Sequence, residues 1–197
     1  IGTVHYDLDQ YGEALSSHRQ ALVIYKELGD THSVADCYGN IGIVYYHIGD
    51  YAKALDYLLK ALKIREKGTN TLGIASNLSN IGSVYTDLKQ YHHALDYHKR
   101  ALKLFKEVGD KSGIASSLNN VGNIFVYKKE FAQAEDYYRQ SLALEIEIGA
   151  QDGKAASLDN IGVTLRLRNK FREALPFHLE SLKINEKIKN QLGTANN

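Results

Sequence analysis

The sequence predicts an all-α protein, folded as a right-handed superhelical solenoid of antiparallel helix pairs. Three observations predict this fold class. The chain repeats itself every forty residues, apolar residues within each repeat follow helical spacing, and only one proline occurs among 197 residues. Internal repeats of this length are typical of helical repeat proteins. Because β-branched residues form no alternating runs, the pattern does not favour a sheet.

The forty-residue period aligns the chain with itself without a gap. It predicts a single array over residues 1–197, with repeats at 1–40, 41–80, 81–120, 121–160 and 161–197. One position holds alanine in every repeat, as Ala14, Ala54, Ala94, Ala134 and Ala174. Because the array begins and ends inside a repeat, we expect this sequence to be a fragment of a longer protein.

Each repeat encodes two helices. In the second repeat, apolar and small residues fall at i, i+3, i+4 and i+7 from Tyr51 and predict one helix. The next helix is expected from about Leu72 to Leu88. Joints such as Gly29-Asp30, Gly49-Asp50 and Gly109-Asp110 suit helix ends, since glycine tolerates positive φ.

Two features are specific to the C-terminal repeat. Residues Gln191–Asn197 match Thr71–Asn77, so a further helix is expected to begin near Gln191. Pro176 falls past the first turn of a predicted helix, where it removes a backbone hydrogen bond and crowds a preceding carbonyl. We therefore expect a kink or a widened turn near Arg172–Pro176.

One group of residues in the second repeat resembles a known family: Ile41, Gly42, Tyr45, Tyr51, Ala54, Leu58 and Ala61. They resemble the tetratricopeptide (TPR) consensus, although these copies are about six residues longer than the usual repeat and lack its proline. The forty-residue form is similar to repeats of Leu-Gly-Asn-repeat G-protein signalling modulators and of bacterial TPR sensor regions. The resemblance implies a helical solenoid that binds a protein or peptide.

The charge balance excludes several classes of partner. The formal net charge is +1, so the chain lacks the basic excess that attracts nucleic acid or anionic membranes. No apolar stretch approaches the length that spans a bilayer. The single cysteine fits a reducing compartment. We therefore expect a cytoplasmic protein with no nucleic-acid or membrane partner.

The candidate site follows from a recurring asparagine, present as Asn40, Asn80, Asn120 and Asn160. In a TPR-like stack this position faces the concave groove. Asparagine is a mediocre helix former, and its amide offers both a donor and an acceptor, which match a peptide backbone. The structural alternative is that these amides bond within the helix or to a neighbouring helix. The same face carries the other candidate partner-binding residues: Asn123, Tyr46, Tyr127 and Arg166.

Two functions fit these observations. The first is a protein-interaction scaffold that binds an extended or helical segment of a partner in its concave groove. The alternative is a peptide-sensing regulatory region of a bacterial signalling protein that controls an attached output domain. We find no phosphate loop, nucleophile elbow or HExxH unit, so we expect no enzyme, no cofactor and no metal site. We also expect the truncated ends to pack end-to-end on other copies.

Three of the eight histidines, His18, His98 and His178, share one repeat position with Leu58 and Tyr138. A position that accepts such different chemistry is typical of packing rather than of metal binding. We therefore expect these side chains to lie between helices.

Overall fold

The computed structural model describes residues 8–195, with side chains described for residues 10–189. This part of the chain contains nine α-helices and no strand, which confirms the all-α fold class. The helices are α1 Leu8–Glu27, α2 Thr31–Ile48, α3 Tyr51–Arg65, α4 Thr71–Asp87, α5 Tyr91–Val108, α6 Lys111–Tyr127, α7 Phe131–Glu147, α8 Gln151–Leu167 and α9 Phe171–Ala195.

The helices form two compact units, Ile1–Val108 with α1 to α5 and Gly109–Asn197 with α6 to α9. Within each unit every helix packs on the next one along the chain. The even-numbered helices also contact each other, α2 with α4 in the first unit and α6 with α8 in the second. The repeated helix pairs are thus confirmed, whereas the single array over 1–197 and its right-handed superhelix stay predictions.

The helix ends have local causes that recur between repeats. The side chain before a helix accepts a hydrogen bond from the backbone N–H three residues later, which satisfies one unpaired donor of the first turn. These N-caps are Asp30, Asp50, Asn70 and Asp110. Glycines with positive φ follow the last turns, namely Gly29, Gly49, Gly109 and Gly149. The predicted glycine joints are therefore confirmed.

The last helix departs from this pattern. A helix start near Gln191 was expected, but α9 continues without a break to Ala195, so that expectation is wrong. Lys189 stands where Gly109 and Gly149 adopt positive φ, a conformation that is less favourable for a side chain with a Cβ, although Lys89 and Lys129 adopt it after α4 and α6. The last helix therefore lacks the glycine that follows α5 and α7. It also continues through Pro176 as an α-helix, so the widened turn does not form, while a bend stays a prediction.

The core is organised around glycines that each contact one large side chain. A Cβ added at Gly42, Gly82, Gly122 or Gly162 would lie 2.7, 2.8, 2.6 or 2.8 Å from a side-chain atom of the following odd-numbered helix. The side chains in contact are Leu58, His98, Tyr138 and His178. The first three are buried and the last is half-buried. The expectation that this repeat position serves packing is therefore confirmed for His98 and His178, whereas the counterpart glycine of His18 lies outside the described residues.

We predict that Gly82→Ala destabilises the protein by about 1–3 kcal/mol, because the added methyl group would overlap the ring of His98. Gly12→Ala is the matched control. Gly12 lies inside α1 with no atom within 4 Å of the added Cβ, so alanine should stabilise by about 0.5–1 kcal/mol through its better helix propensity. Urea denaturation measures both changes, and equal effects would contradict the close contact at Gly82.

We predict that the stability of the protein falls on acidification because of His98. Burial lowers the pKa of His98 from its ordinary value of 6.5 to about 4. Between these values the unfolded chain binds a proton that the folded chain does not, so the free energy of unfolding decreases by about 3 kcal/mol from pH 7 to pH 4. His98→Leu, which installs the residue found at position 58, should remove most of this decrease. An unchanged pH profile in that variant would refute the assignment.

Candidate partner-binding faces

The candidate residues lie on the even-numbered helices of the two units. We call the first surface the α2–α4 face, formed by Ile43, Tyr46, His47, Asn80 and Ser83. The second is the α6–α8 face, formed by Asn119, Asn120, Asn123, Asn160 and Arg166. All eight side chains of the predicted site lie on α2, α4, α6 or α8, and each is at least partly exposed.

The four recurring asparagines differ in their surroundings. Asn40 is exposed, whereas Asn80, Asn120 and Asn160 are half-buried. The amide of Asn160 donates a long hydrogen bond of 3.4 Å to Oδ1 of Asn119. Among the residues that the structure describes, no hydrogen bond joins the amides of the other three to a partner. Bonding between helices therefore accounts for Asn160 alone.

Asn119 belongs to the α6–α8 face and is the centre of a polar network that joins α6, α7 and α8. Its Nδ2 donates to Oγ of Ser141 at 2.8 Å and to Oγ of Ser157 at 3.0 Å, and Ser141 in turn donates to the carbonyl of Ala115. Buried polar groups that are satisfied in this way fix the helices in register. The sequence places Asn119 on the same helix face as Asn120 and Asn123 but does not indicate this network, since its counterparts in other repeats are glycine, serine and aspartate.

Asn123 is already engaged by the core. The Tyr138 hydroxyl donates to Oδ1 of Asn123 at 2.6 Å. Burial, with a smaller contribution from the nearby Tyr127, raises the pKa of Tyr138, so this hydroxyl keeps its proton as a donor. Nδ2 of Asn123 forms no hydrogen bond within the described part of the chain. Asn123 therefore presents its Nδ2 donor to a partner, while its Oδ1 already accepts one hydrogen bond from Tyr138.

The remaining candidates surround these amides. Tyr46 is half-buried, with its ring centroid 5.4 Å from that of His47 and 6.1 Å from that of Tyr51. Tyr127 is 55% exposed at the end of α6. Arg166 is exposed and forms no salt bridge with any described side chain. The two faces thus combine amides, aromatic rings and a single cation, with few fixed charges.

A cavity of about 210 Å³ opens on the α2–α4 face beside Asn80. Its walls are Ile43, Tyr46, His47, Leu58, Asn80 and Ser83. The sequence pattern did not predict this cavity. The signal was nevertheless present, since Leu58 is the shortest of the four side chains that pack on the glycines at this position in successive repeats.

A larger cavity of about 400 Å³ lies where the ends of α2, α3 and α4 meet. Arg65 on its wall donates to Oδ1 of Asp36 at 2.7 Å, to Oδ1 of Asn77 at 3.3 Å and to the carbonyl of Gly73 at 3.2 Å. Its guanidinium therefore joins three helices. We assign this arrangement to packing rather than to recognition, because most of its donors are already used.

Two further observations concern only the part of the chain that the structure describes. There, no group of three or more His, Cys, Asp and Glu side chains is arranged to hold a metal ion. None of the described helices combines the length and the apolar character needed to cross a membrane.

Several solved structures share this fold. BtubC (BKLC) from P. vanneervenii has a TM-score of 0.82 at 20% identity, over 91% of this chain and 74% of its own. Aspartyl phosphate phosphatase F from Bacillus subtilis has a TM-score of 0.85 at 18% identity, over 93% and 49%. A Rap protein complexed with competence and sporulation factor has a TM-score of 0.81 at 19% identity, over 93% and 51%. The chain thus spans about half the length of the last two, and identities this low show the fold alone.

No curated protein shows significant similarity to this sequence. A family model described as tetratricopeptide repeat matches residues 1–67 and 73–147, and a second model of the same description matches residues 155–188. The first model alone covers more than half of the chain. Together with the helix pairs and the glycine contacts between them, these matches show that the chain belongs to the tetratricopeptide repeat family.

Proposed function

We propose that this protein is an interaction scaffold that binds an extended or helical segment of a partner on its even-helix faces. One observation carries the proposal. The amide of Asn80 is half-buried beside a cavity, on a helix face, and forms no hydrogen bond within the described chain. Polar groups that lose contact with solvent need hydrogen-bond partners, and a ligand backbone that covers this amide can supply them.

The chemistry of the faces supports a peptide ligand. A primary amide donates and accepts, as a peptide group does, so it can pair with backbone whatever the ligand's side chains are. Asn80 offers both functions on the α2–α4 face, and Asn120 offers both on the α6–α8 face. Tyr46 and Tyr127 add aromatic surface beside them, which favours apolar contact at low entropic cost.

Under this proposal, the protein is a non-catalytic binding protein of the cytoplasm. Its one cysteine, Cys37, is buried and reduced, and burial raises the pKa of the thiol, so that it is a poor nucleophile. The protein would accordingly need neither cofactor nor metal. The forty-residue repeats further support a relationship to the Leu-Gly-Asn-repeat modulators within the wider family.

A second candidate is a peptide-sensing region that controls an attached output domain. The similarity to a Rap protein complexed with competence and sporulation factor favours it, because the shared fold there accompanies a bound factor. The two candidates differ in the consequence of binding. A scaffold keeps its shape when the peptide binds, whereas a sensor transmits a change in the packing of its repeats.

We predict that the double variant Asn80→Ala, Asn120→Ala weakens peptide binding about tenfold or more, since each lost backbone contact costs about 0.5–1.5 kcal/mol. The ligand is a peptide selected on the 197-residue chain from a phage-displayed random library, and fluorescence anisotropy gives its Kd. Small-angle scattering with and without this peptide separates the scaffold from the sensor.

Asn185→Ala is the matched control, because Asn185 is an exposed asparagine on α9, a helix that contributes to neither face. It should leave the Kd unchanged, and all variants should keep the parent's unfolding midpoint. Binding should depend only weakly on salt, because the faces carry few charges. Unaltered affinity in the double variant, or a steep salt dependence, would place the binding surface elsewhere.

We also infer that α9 packs on other copies of the chain. Its apolar stripe comprises Phe171, Leu175, Leu179 and Leu182, which are 62, 58, 57 and 55% exposed. Side chains spaced in this way form one continuous helical face, and an exposed apolar face of this kind favours association.

We predict concentration-dependent sedimentation of the parent chain and its loss in the double variant Leu175→Lys, Leu179→Lys. Glu173→Lys controls for the added charge, because Glu173 is exposed on the opposite side of the same helix. A parent chain that stays monomeric at millimolar concentration would contradict self-packing through this helix.

A further inference from the structure

The cavity on the α2–α4 face has a defined size and a defined opening. Its volume of about 210 Å³ exceeds that of an engineered apolar cavity of about 150 Å³ that binds benzene in another protein. Ile43, Tyr46 and His47 of α2 form one wall, Asn80 and Ser83 of α4 form the other, and Leu58 of α3 forms the floor. A side chain as large as leucine or phenylalanine therefore fits.

The repeats of this chain explain why the space is open. Two repeats later, Tyr138 replaces Leu58, packs on its glycine, and extends until its hydroxyl bonds Asn123, the counterpart of Ile43. Leu58 makes the same contact with Gly42 but is too short to reach beyond it. The side chain on the opposite wall is also smaller, because Ser83 stands where the later repeat has Val163.

The lining determines what kind of group can enter. Its six residues include no aspartate, glutamate, lysine or arginine. A charged side chain placed there would lose hydration without gaining a counter-charge, whereas an uncharged apolar side chain would bury surface against Ile43 and Leu58. The Ser83 hydroxyl already donates to the carbonyl of Ser79 at 3.2 Å, which reduces the polarity of its wall further.

Asn80 stands at the wall of this cavity with its amide unpaired within the described chain. An amide beside an apolar cavity matches the two parts of one peptide residue, because the side chain enters the cavity while the adjoining backbone group meets the amide. We propose that the α2–α4 face selects a partner segment by one large, uncharged, apolar side chain, which this cavity receives. This inference rests on the proposed peptide-binding function and adds the residue class that is recognised.

The test uses single capped residues as probes on the whole chain, followed by methyl NMR. N-acetyl-leucine N-methylamide should produce saturable shifts at the methyl groups of Ile43 and Leu58, whereas N-acetyl-lysine N-methylamide should not. The double variant Leu58→Tyr, Ile43→Asn copies the pair found at Tyr138 and Asn123 and fills the cavity from within. It should weaken binding of the leucine compound at least about tenfold.

Leu59→Tyr is the matched control, since it makes the same substitution one residue later at a side chain that is 40% exposed. It should leave binding unchanged. Ser83→Val closes the cavity from the opposite wall with the residue found at position 163, and it serves as the second test should the double variant fold poorly. Thermal unfolding verifies the fold of each variant.

The outcomes separate this inference from the function on which it rests. If the leucine compound causes no saturable shift, or binds the filled variants as well as the parent, the cavity is not a recognition site and the inference is overturned. Peptide binding through Asn80 and Asn120 would then still stand. If the compound binds the cavity but selected peptides ignore the loss of both asparagines, the proposed function fails instead, and the selection of partner segments fails with it.

Discussion

The structure depends on one contact that recurs in four repeats of the described chain, between a glycine of an even-numbered helix and a large side chain sixteen residues later. Without a Cβ at Gly82, the ring of His98 lies close enough to α4 that any other residue would overlap it. This close approach of the two helices also brings together residues near the glycine and near the side chain that packs on it. Aromatic rings stack beside this contact at centroid distances of 5.6, 5.4 and 5.3 Å, in the pairs Tyr45–Tyr57, Tyr85–Tyr97 and Phe125–Tyr137.

The same contact links the core to the candidate binding faces. The side chain that packs on the glycine points toward the even-numbered helix, so its length determines what the face beyond it offers. Leu58 stops short and leaves a cavity, Tyr138 reaches Asn123, and His178 bonds Asp159 through Nδ1 at 2.7 Å. One repeat position therefore varies the chemistry that the candidate faces present, while its contact with the glycine is kept.

The sequence was sufficient to predict features that depend on a local pattern present in several repeats. Helix spacing, glycine joints and the packing role of His98 all follow from comparing one repeat with the next. The network around Asn119 does not, because it joins side chains from three helices that no periodicity brings together. The continuous α9 was also missed. Its segment after residue 190 resembles a helix start, but Lys189 replaces the glycine that precedes such starts at positions 109 and 149.

Repeats with the same backbone arrangement can differ in the side-chain interactions that stabilise them. At the position where Arg65 ties three helices together, the fourth repeat has Glu145, buried against Gly153 with no hydrogen bond or ion pair to any described residue. Burial raises the pKa of this carboxyl, so the folded chain favours its protonated form and loses stability as the pH rises through the titration of Glu145.

His98 acts in the opposite sense, because burial lowers its pKa and acidification opposes the folded state. The carboxyl lies in the second unit and the imidazole in the first. These two buried groups therefore make the free energy of unfolding depend on pH in opposite directions. The glycine contacts are compatible with this difference, because they depend on a close steric fit between helices and not on charge. The residues at adjoining positions can therefore differ in charge from one repeat to the next.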